Sequence, residues 1–272
     1  MAALVKRVVV LGLDGMGNMN RQAKTPHMDQ LLSKGYRTYE AQTVIPTISG
    51  ECWGSMFHGV EPELHGLDNA VAEHEKFPLD SPYPSFLQLI RQTNPDAIIG
   101  SSCTWKPIND GIIEAGAVSF VANVFTDKKH IENVQQFLAE HDDFVALYIH
   151  FDEIDSAGHG FGYGTPLYTE VIEDTDKLVG QVVALLQEKV LYEDTLFIIL
   201  ADHGGGGEDP HGHGSAHSQD ATIFWGCSGP GIREEAEGTA LNIQDTAVVV
   251  AHALGLDIPA GWTAKLPEQI FL

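Results

Sequence analysis

Three apolar segments of this chain run without interruption into aspartate: Val8–Leu13 into Asp14, Phe144–Phe151 into Asp152 and Asp155, and Thr195–Ala201 into Asp202. Segments this short and this rich in Val, Ile and Leu read as buried strands. Helical patterns lie between them, which predicts parallel βαβ units with right-handed crossovers. In an open parallel sheet, ligands bind beyond the carboxyl ends of the strands. The pattern therefore brings several carboxylates to one edge. Carboxylates held together repel, so such a cluster needs cations or raised pKa values.

The rest of the chain extends the same architecture. Ala97–Ser102, Ala117–Val124 and Ala221–Trp225 read as further strands. Thr25-Pro26 places an N-cap and a first-turn proline ahead of a helix expected to reach Lys34, with Gly35 as its stop. His130–His141, Pro166–Lys189 and Ile243–Leu254 read as helices, the last ended by Gly255. The stretch 66–84 is less regular and is expected to be a surface excursion near the site. No repeat, heptad pattern or long linker interrupts the chain, and its 272 residues suit one α/β domain spanning 1–272.

Thirteen histidines are present, and four of them, His203, His211, His213 and His217, fall between positions 203 and 217. Asp155 leads to His159, and His203 follows Asp202 directly. Mixed Asp/His ligation suits zinc, manganese or iron. Three aspartates and three histidines are too many for one tetrahedral ion. Two metals fit better, and such pairs clamp the attacking and leaving oxygens of a phosphoryl transfer. Taken singly, each residue has a plainer use: strand-end aspartates also cap helices and form turns. Gly204–Gly207 reads as a flexible loop, since it lacks the Lys-Ser/Thr ending of a phosphate-cradling loop. The joint arrangement carries the expectation.

A nucleophile is offered by Pro46-Thr-Ile-Ser49, which sits ahead of a helical pattern. Free N–H groups at a helix start favour an anion, and a metal-bound serine hydroxyl ionises near neutral pH. Ser49 could equally be the N-cap of that helix.

Composition narrows the partners. The formal net charge of −23 argues against a nucleic-acid polymer or an anionic membrane surface. Bound metal ions can still reverse the field locally for an anionic substrate. No apolar run approaches the length of a membrane span, and the first residues lack the pattern of a secretory signal, so a cytoplasmic location is expected. Cys52, Cys103 and Cys227 form no CxxC pair and are expected to be reduced, mostly buried thiols.

Together, Asp14 after the first strand, Pro46-Thr-Ile-Ser49 with Pro62-Glu-Leu-His-Gly66, Asp155-Ser-Ala-Gly-His159 and Ala201-Asp-His-Gly204 resemble the alkaline phosphatase superfamily. The nearest likeness is to its type I phosphodiesterase/nucleotide pyrophosphatase branch, and it covers nearly the whole chain. The resemblance implies a doubly wound, mostly parallel α/β sheet with helices on both faces and no large cap domain. It also implies two divalent ions, zinc first and manganese as the alternative. Carried over by position, Asp14, Ser49, Asp202 and His203 would hold one ion, and Asp155, His159 and a last histidine the other. That last histidine is expected at His217, because Gly214-Ser-Ala-His217 ahead of an apolar strand resembles the superfamily's cofactor-independent phosphoglycerate mutases. His213 is its main rival. In the phosphodiesterase branch this histidine lies farther along, where His252 is the only candidate, inside a helical pattern.

Other positions depart from the branch. It usually carries threonine where this chain has Ser49. Its asparagine contacting the phosphoryl oxygens stands just after the His-Gly pair, and Asn69 is one residue off that place. Lack of a mutase cap speaks against isomerase activity, and lack of a Cys/Ser-x-Pro-x-Arg motif against a sulfatase. The implied activity is that of a phosphodiesterase or nucleotide pyrophosphatase acting on a small phosphate ester through a Ser49 phosphoenzyme, with Asn69 steadying the developing charge. A phosphomonoesterase or phosphonate hydrolase on the same centre is the alternative, and a non-catalytic metal-binding protein the third reading. Trp105 and Phe77 are candidates to stack on a base, though packing would account for them as well.

Overall fold

The computed structural model describes residues 2–234, 236–237 and 241–272. Among these, eight strands form one sheet: β1 (Arg7–Leu13), β2 (Tyr36–Gln42), β3 (Ile99–Cys103), β4 (Phe120–Asn123), β5 (Ala146–Phe151), β6 (Thr195–Ala201), β7 (Thr222–Ser228) and β8 (Ala236–Glu237). Their order is β4-β3-β5-β1-β6-β7-β2-β8. The first five in that order are parallel, and β7 runs antiparallel to both β6 and β2. The central strands β1, β5 and β6 are buried along their whole length, as strands covered on both faces must be.

Register places the chemistry. Leu13 of β1 lies opposite Phe151 of β5 on one side and Ala201 of β6 on the other. The next residues are Asp14, Asp152 and Asp202. Three neighbouring strands thus end level, each on a carboxylate.

Helices cover both faces. The Pro166–Glu188 helix packs on Pro26–Leu31, Lys129–Glu140 and Glu153–Phe161. Thr165 caps it by accepting the Tyr168 N–H, and Pro166 fills its first position. Ile172, Val179, Val182 and Leu186 are buried along one stripe of it. Elsewhere, the Ser49–His58 helix packs with Pro62–His65, Asn69–His74 and Asp245–Ala253.

Several elements differ from the sequence-based expectation, among them the helices Phe86–Thr93 and Glu153–Phe161, which were not expected. The helix after Pro26 ends at Leu31 rather than Lys34. Ser33 N–H and Gly35 N–H close tight turns onto Gln30 O and Leu32 O, which swing the chain into β2. β2 itself was not expected. Arg37, Glu40 and Gln42 break up its apolar character, and it lies in the mixed flank of the sheet. In the stretch 66–84, the short helix Asn69–His74 packs against the Ser49–His58 helix. Phe77 there is buried and stacks on His58 at 3.8 Å, so it is a core residue and not a free stacking platform.

Candidate metal centre

Asp14 and Asp202 follow β1 and β6 directly and are buried. Gly15 and His203 N–H both donate to Asp202 Oδ1, at 3.0 and 2.8 Å. Trp53 Nε1 and His150 Nε2 both donate to Asp14 Oδ2, each at 2.9 Å. The other oxygens, Asp14 Oδ1 and Asp202 Oδ2, are buried without any hydrogen-bond partner. Both lie 3.4 Å from His203 Nε2. Ser49 Oγ lies 3.2 Å from the same nitrogen. Two orphaned carboxylate oxygens, an imidazole nitrogen and a hydroxyl therefore surround one point.

Burial, then the charges of Asp202 and Asp155, push the Asp14 pKa well above the usual carboxylate range. Burial does the same to Asp202, against backbone N–H bonds that favour the charged form. A buried polar atom with no partner costs free energy. A divalent cation is the group that would satisfy all four donors at once, so the residues fit a metal.

A second group lies beside the first. Asp155 and His159 come from the Glu153–Phe161 helix, one turn apart on one face. Asp155 Oδ2 is 3.2 Å from His159 Nε2, and His159 Nε2 is 3.2 Å from His213 Nε2. Tyr163 OH donates to Asp155 Oδ1 at 2.5 Å. The Tyr163 ring fills space that a side chain at Gly158 would occupy. Burial works against the Asp155 carboxylate, but the His159 hydrogen bond, His203, His213 and Tyr163 outweigh it and hold its pKa low. In turn the hydrogen bond to Asp155 raises His159 to about 9, while burial lowers His213 to about 4.

Tautomers point the same way at all three histidines. His203 Nδ1–H donates to Gly204 O at 2.8 Å, His159 Nδ1–H to His211 O at 2.7 Å and His213 Nδ1–H to Thr47 O at 2.6 Å. Each ring is thereby turned so that its Nε2 faces the clusters, the usual outer-shell device of metal-ligating histidine. His150 is the opposite case. Trp105 N–H donates to its Nδ1 at 3.3 Å, so Nε2 carries the proton that goes to Asp14. Although Asp14, His150 and Asp152 lie close enough to surround an ion, His150 has no lone pair left to give. Asp152, pushed up to about 6 by burial and then by Asp14, belongs with this outer layer.

The structure thus brings together Asp14, Ser49, Asp202 and His203 in one group and Asp155, His159 and His213 in the other. His217 stands elsewhere. It is exposed and caps the Ser218–Ala221 helix, its Nδ1 accepting the Gln219 N–H at 3.2 Å. His252 lies in the Asp245–Ala253 helix, its ring 4.5 Å from that of Phe271. Ser49 is not an N-cap: it is the first residue of its helix, after Ile48, and its hydroxyl serves the cluster. Asn69 Oδ1 accepts the Gly50 N–H at 2.7 Å, which fixes it beside Ser49.

Trp53, His150 and Tyr163 donate to the carboxylates of the two groups, and sequence reasoning did not name them. Trp53 stands one helical turn after Ser49, and Gly12 makes room for it: a Cβ there would lie 2.6 Å from the Trp53 ring. His150 precedes Phe151 at the end of β5, and that place beside Asp152 was its signal.

All five arginines are engaged away from the site. Arg7 donates to Leu191 O and Asp142 O, Arg21 pairs with Glu40, and Arg37 with Asp29. Arg91 donates to Ala117 O, Pro95 O and Ser119 Oγ, and Arg233 to Gln269 O and Phe271 O.

Residues 8–220, which contain both clusters, match the family described as type I phosphodiesterase/nucleotide pyrophosphatase. The chain belongs to this family. Human ectonucleotide pyrophosphatase/phosphodiesterase family member 7 is 22% identical over 223 residues, covering 73% of this chain and 47% of its own. GPI ethanolamine phosphate transferase 2 of Aspergillus fumigatus is 24% identical over 181 residues, covering 65% of this chain and 24% of its own. The chain therefore spans less than half the length of these relatives. Murine ectonucleotide pyrophosphatase/phosphodiesterase 5 has the same fold, with a TM-score of 0.80 at 14% identity over 98% of this chain and 100% of that one. An inactive variant of that murine protein, in complex with AMP, superposes with a TM-score of 0.78 at 15% identity over 95% of this chain and 97% of that one. A 2-O GAG sulfatase shares the fold at a TM-score of 0.78 and 14% identity, over 98% of this chain and 74% of its own. The architecture is that of the alkaline phosphatase superfamily, and the chain's family is one of metal-dependent hydrolases. Among the described residues, no helix is long and apolar enough to cross a membrane.

Proposed function

We propose that this chain hydrolyses phosphate diesters at a two-ion centre, with Ser49 as nucleophile and nucleotides as the first substrate class to test. The observation that carries the reading is the convergence of Asp14 Oδ1, Asp202 Oδ2, His203 Nε2 and Ser49 Oγ on one point, with two of those oxygens orphaned. Asp14, Ser49, Asp202 and His203 would hold one ion and Asp155, His159 and His213 the other. Zinc suits this mixed donor set best and manganese next. Two such ions would supply the positive charge that ionises the Ser49 hydroxyl and offsets the phosphoryl oxygens.

Ser49 Oγ then attacks phosphorus in line, and the alcohol opposite departs. Water attacks the phosphoserine, releasing a monoester and restoring Ser49. Asn69 holds Gly50 through Oδ1, which leaves its Nδ2 to donate to a phosphoryl oxygen. The placement of the arginines favours diesters over monoesters. A monoester dianion brings more charge to be balanced, and no arginine stands at the site to balance it. The AMP complex of the murine neighbour supports the choice of nucleotides. Three buried, unpaired cysteines are compatible with a reducing compartment, which supports a cytoplasmic location.

The test compares bis-p-nitrophenyl phosphate with p-nitrophenyl phosphate after loading with zinc or manganese, with Asp202→Asn as control. Faster diester cleavage that is lost in the control is expected. Faster monoester cleavage would move the assignment to a phosphomonoesterase. No metal-dependent cleavage of either would overturn it in favour of a phosphonate hydrolase or a non-catalytic protein.

A further inference from the structure

His213 arrives at its cluster on a glycine-rich loop whose own hydrogen bonds, Gly206 N–H to Gly212 O at 2.9 Å and Gly212 N–H to Asp209 O at 3.0 Å, stop short of it. Gly204–Gly207, Gly212 and Gly214 all lie between β6 and the Ser218–Ala221 helix, and Gly214 has a φ of +113°. Outside both clusters, Tyr163 N–H holds this loop at Pro210 O, at 2.9 Å, and Asp220 and Thr47 hold it nearer His213. Asp220 takes the sheet side, accepting from Gly207 N–H at 3.0 Å, Ser215 N–H at 3.1 Å and Ser215 Oγ–H at 2.7 Å.

Thr47 takes the other side, and it is fully buried two residues before Ser49. Its carbonyl accepts the His213 Nδ1–H at 2.6 Å. Its Oγ1 accepts the Gly214 N–H at 2.8 Å and donates to Ser215 O at 3.1 Å. The hydroxyl thus spends both its donor and an acceptor site on the two residues that follow His213.

We propose that Thr47 is a positioning residue for the second ion. Its hydroxyl docks residues 214–215 on the nucleophile loop, its carbonyl sets the His213 tautomer, and His213 Nε2 is thereby turned toward Asp155 and His159. Because Ser49 opens its helix two residues after Thr47, one side chain ties the third ligand of one ion to the nucleophile beside the other. The inference rests on the two-ion reading above.

Thr47→Val keeps the shape and the carbonyl but removes both hydroxyl hydrogen bonds. Zinc uptake is measured by elemental analysis and by competition against a chelator, with folding checked by circular dichroism. Loss of an outer-layer partner of this kind weakens metal binding about 10–100-fold. The expected result is a weakening of that size for one of two zinc ions, with the other unchanged, and wild-type behaviour in Thr47→Ser. His213→Asn should weaken the same ion, and adding Thr47→Val to it should change little more. Thr47→Ala carries the same expectation should the valine variant not fold. The inference is overturned if Thr47→Val holds both ions at wild-type affinity, if it weakens both alike, or if His213→Asn retains the second ion. Uptake is read without turnover, so a protein that binds two ions yet cleaves no diester would sink the proposed activity and leave this inference standing.

Discussion

Asp202→Asn should make the metal-free protein more stable while destroying its activity. In the native chain Asp202 Oδ2 is buried, has no partner and lies near the carboxylates of Asp14 and Asp155. Asparagine keeps the Oδ1 acceptor for Gly15 and His203 N–H. It also puts an N–H where Oδ2 stood, able to donate to the orphaned Asp14 Oδ1 or to His203 Nε2, and it removes one negative charge. Relief of an unsatisfied buried acceptor is worth about 1–3 kcal/mol. Taking about 2 kcal/mol, and about 2–4 °C per kcal/mol for a domain near this size, the unfolding midpoint should rise by about 4–8 °C. The sign with pH follows from the raised folded pKa of Asp202. Its favourable contribution is complete below the unfolded value and is lost as pH rises through the folded one. Asparagine cannot ionise, so the gap between variant and wild type should be wider at about pH 8 than at about pH 5. Scanning calorimetry in excess chelator measures this, and repeating it with zinc should reverse the order, since the wild type gains more from the ion. A variant less stable than wild type in chelator would refute the reasoning, because Asp202 would then be stabilising without a metal.

Other consequences are as direct. Ser49→Ala should lose turnover by several orders of magnitude while keeping most metal binding, and a near-normal rate would mean that water attacks phosphorus directly. His150→Leu removes one of two donors to a buried carboxylate and should weaken the ion at Asp14, Asp202 and His203 by about 10–100-fold; unchanged zinc competition would show that Trp53 alone orients Asp14. Without metal, His159 has a folded pKa of about 9 set first by its hydrogen bond to Asp155, so its contribution to stability is complete below its unfolded value and is lost as pH rises through about 9. Since its side chain is half exposed, that slope should be shallow, and it should vanish in His159→Asn when unfolding is followed across that range.

Much of the site could be read from the chain because rigid elements carry it. Buried strands fix their register, so Asp14 and Asp202 had to end level on neighbouring strands. The pairing of Asp155 with His159 was legible from their spacing, and the Glu153–Phe161 helix that puts them on one face was not. The partners of these ligands were harder to see. Trp53, His150 and Tyr163 look like core residues by composition, and only the fold shows that their polar atoms end on Asp14 and Asp155. β2 was hidden for a related reason: its polar residues erase the apolar run that marked the other strands.

The last histidine shows where such reading stops. His213 and His217 are four residues apart on a glycine-rich loop that follows the same strand. Local sequence offers no strong preference between them, because neither sits on an element that fixes a side-chain direction. What separates them is distant in the chain. Thr47, 166 residues away from His213, takes the Nδ1 proton of that ring and turns Nε2 inward. His217, two residues past Ser215, instead spends its Nδ1 on the Gln219 N–H and stays exposed. What brings His213 rather than His217 to the cluster is therefore a hydrogen bond between two segments distant in the chain and not motif spacing. For the same reason, spacing could gather Asp14, Asp202 and His203 at the ends of β1 and β6 but could not complete the group of Asp155 and His159.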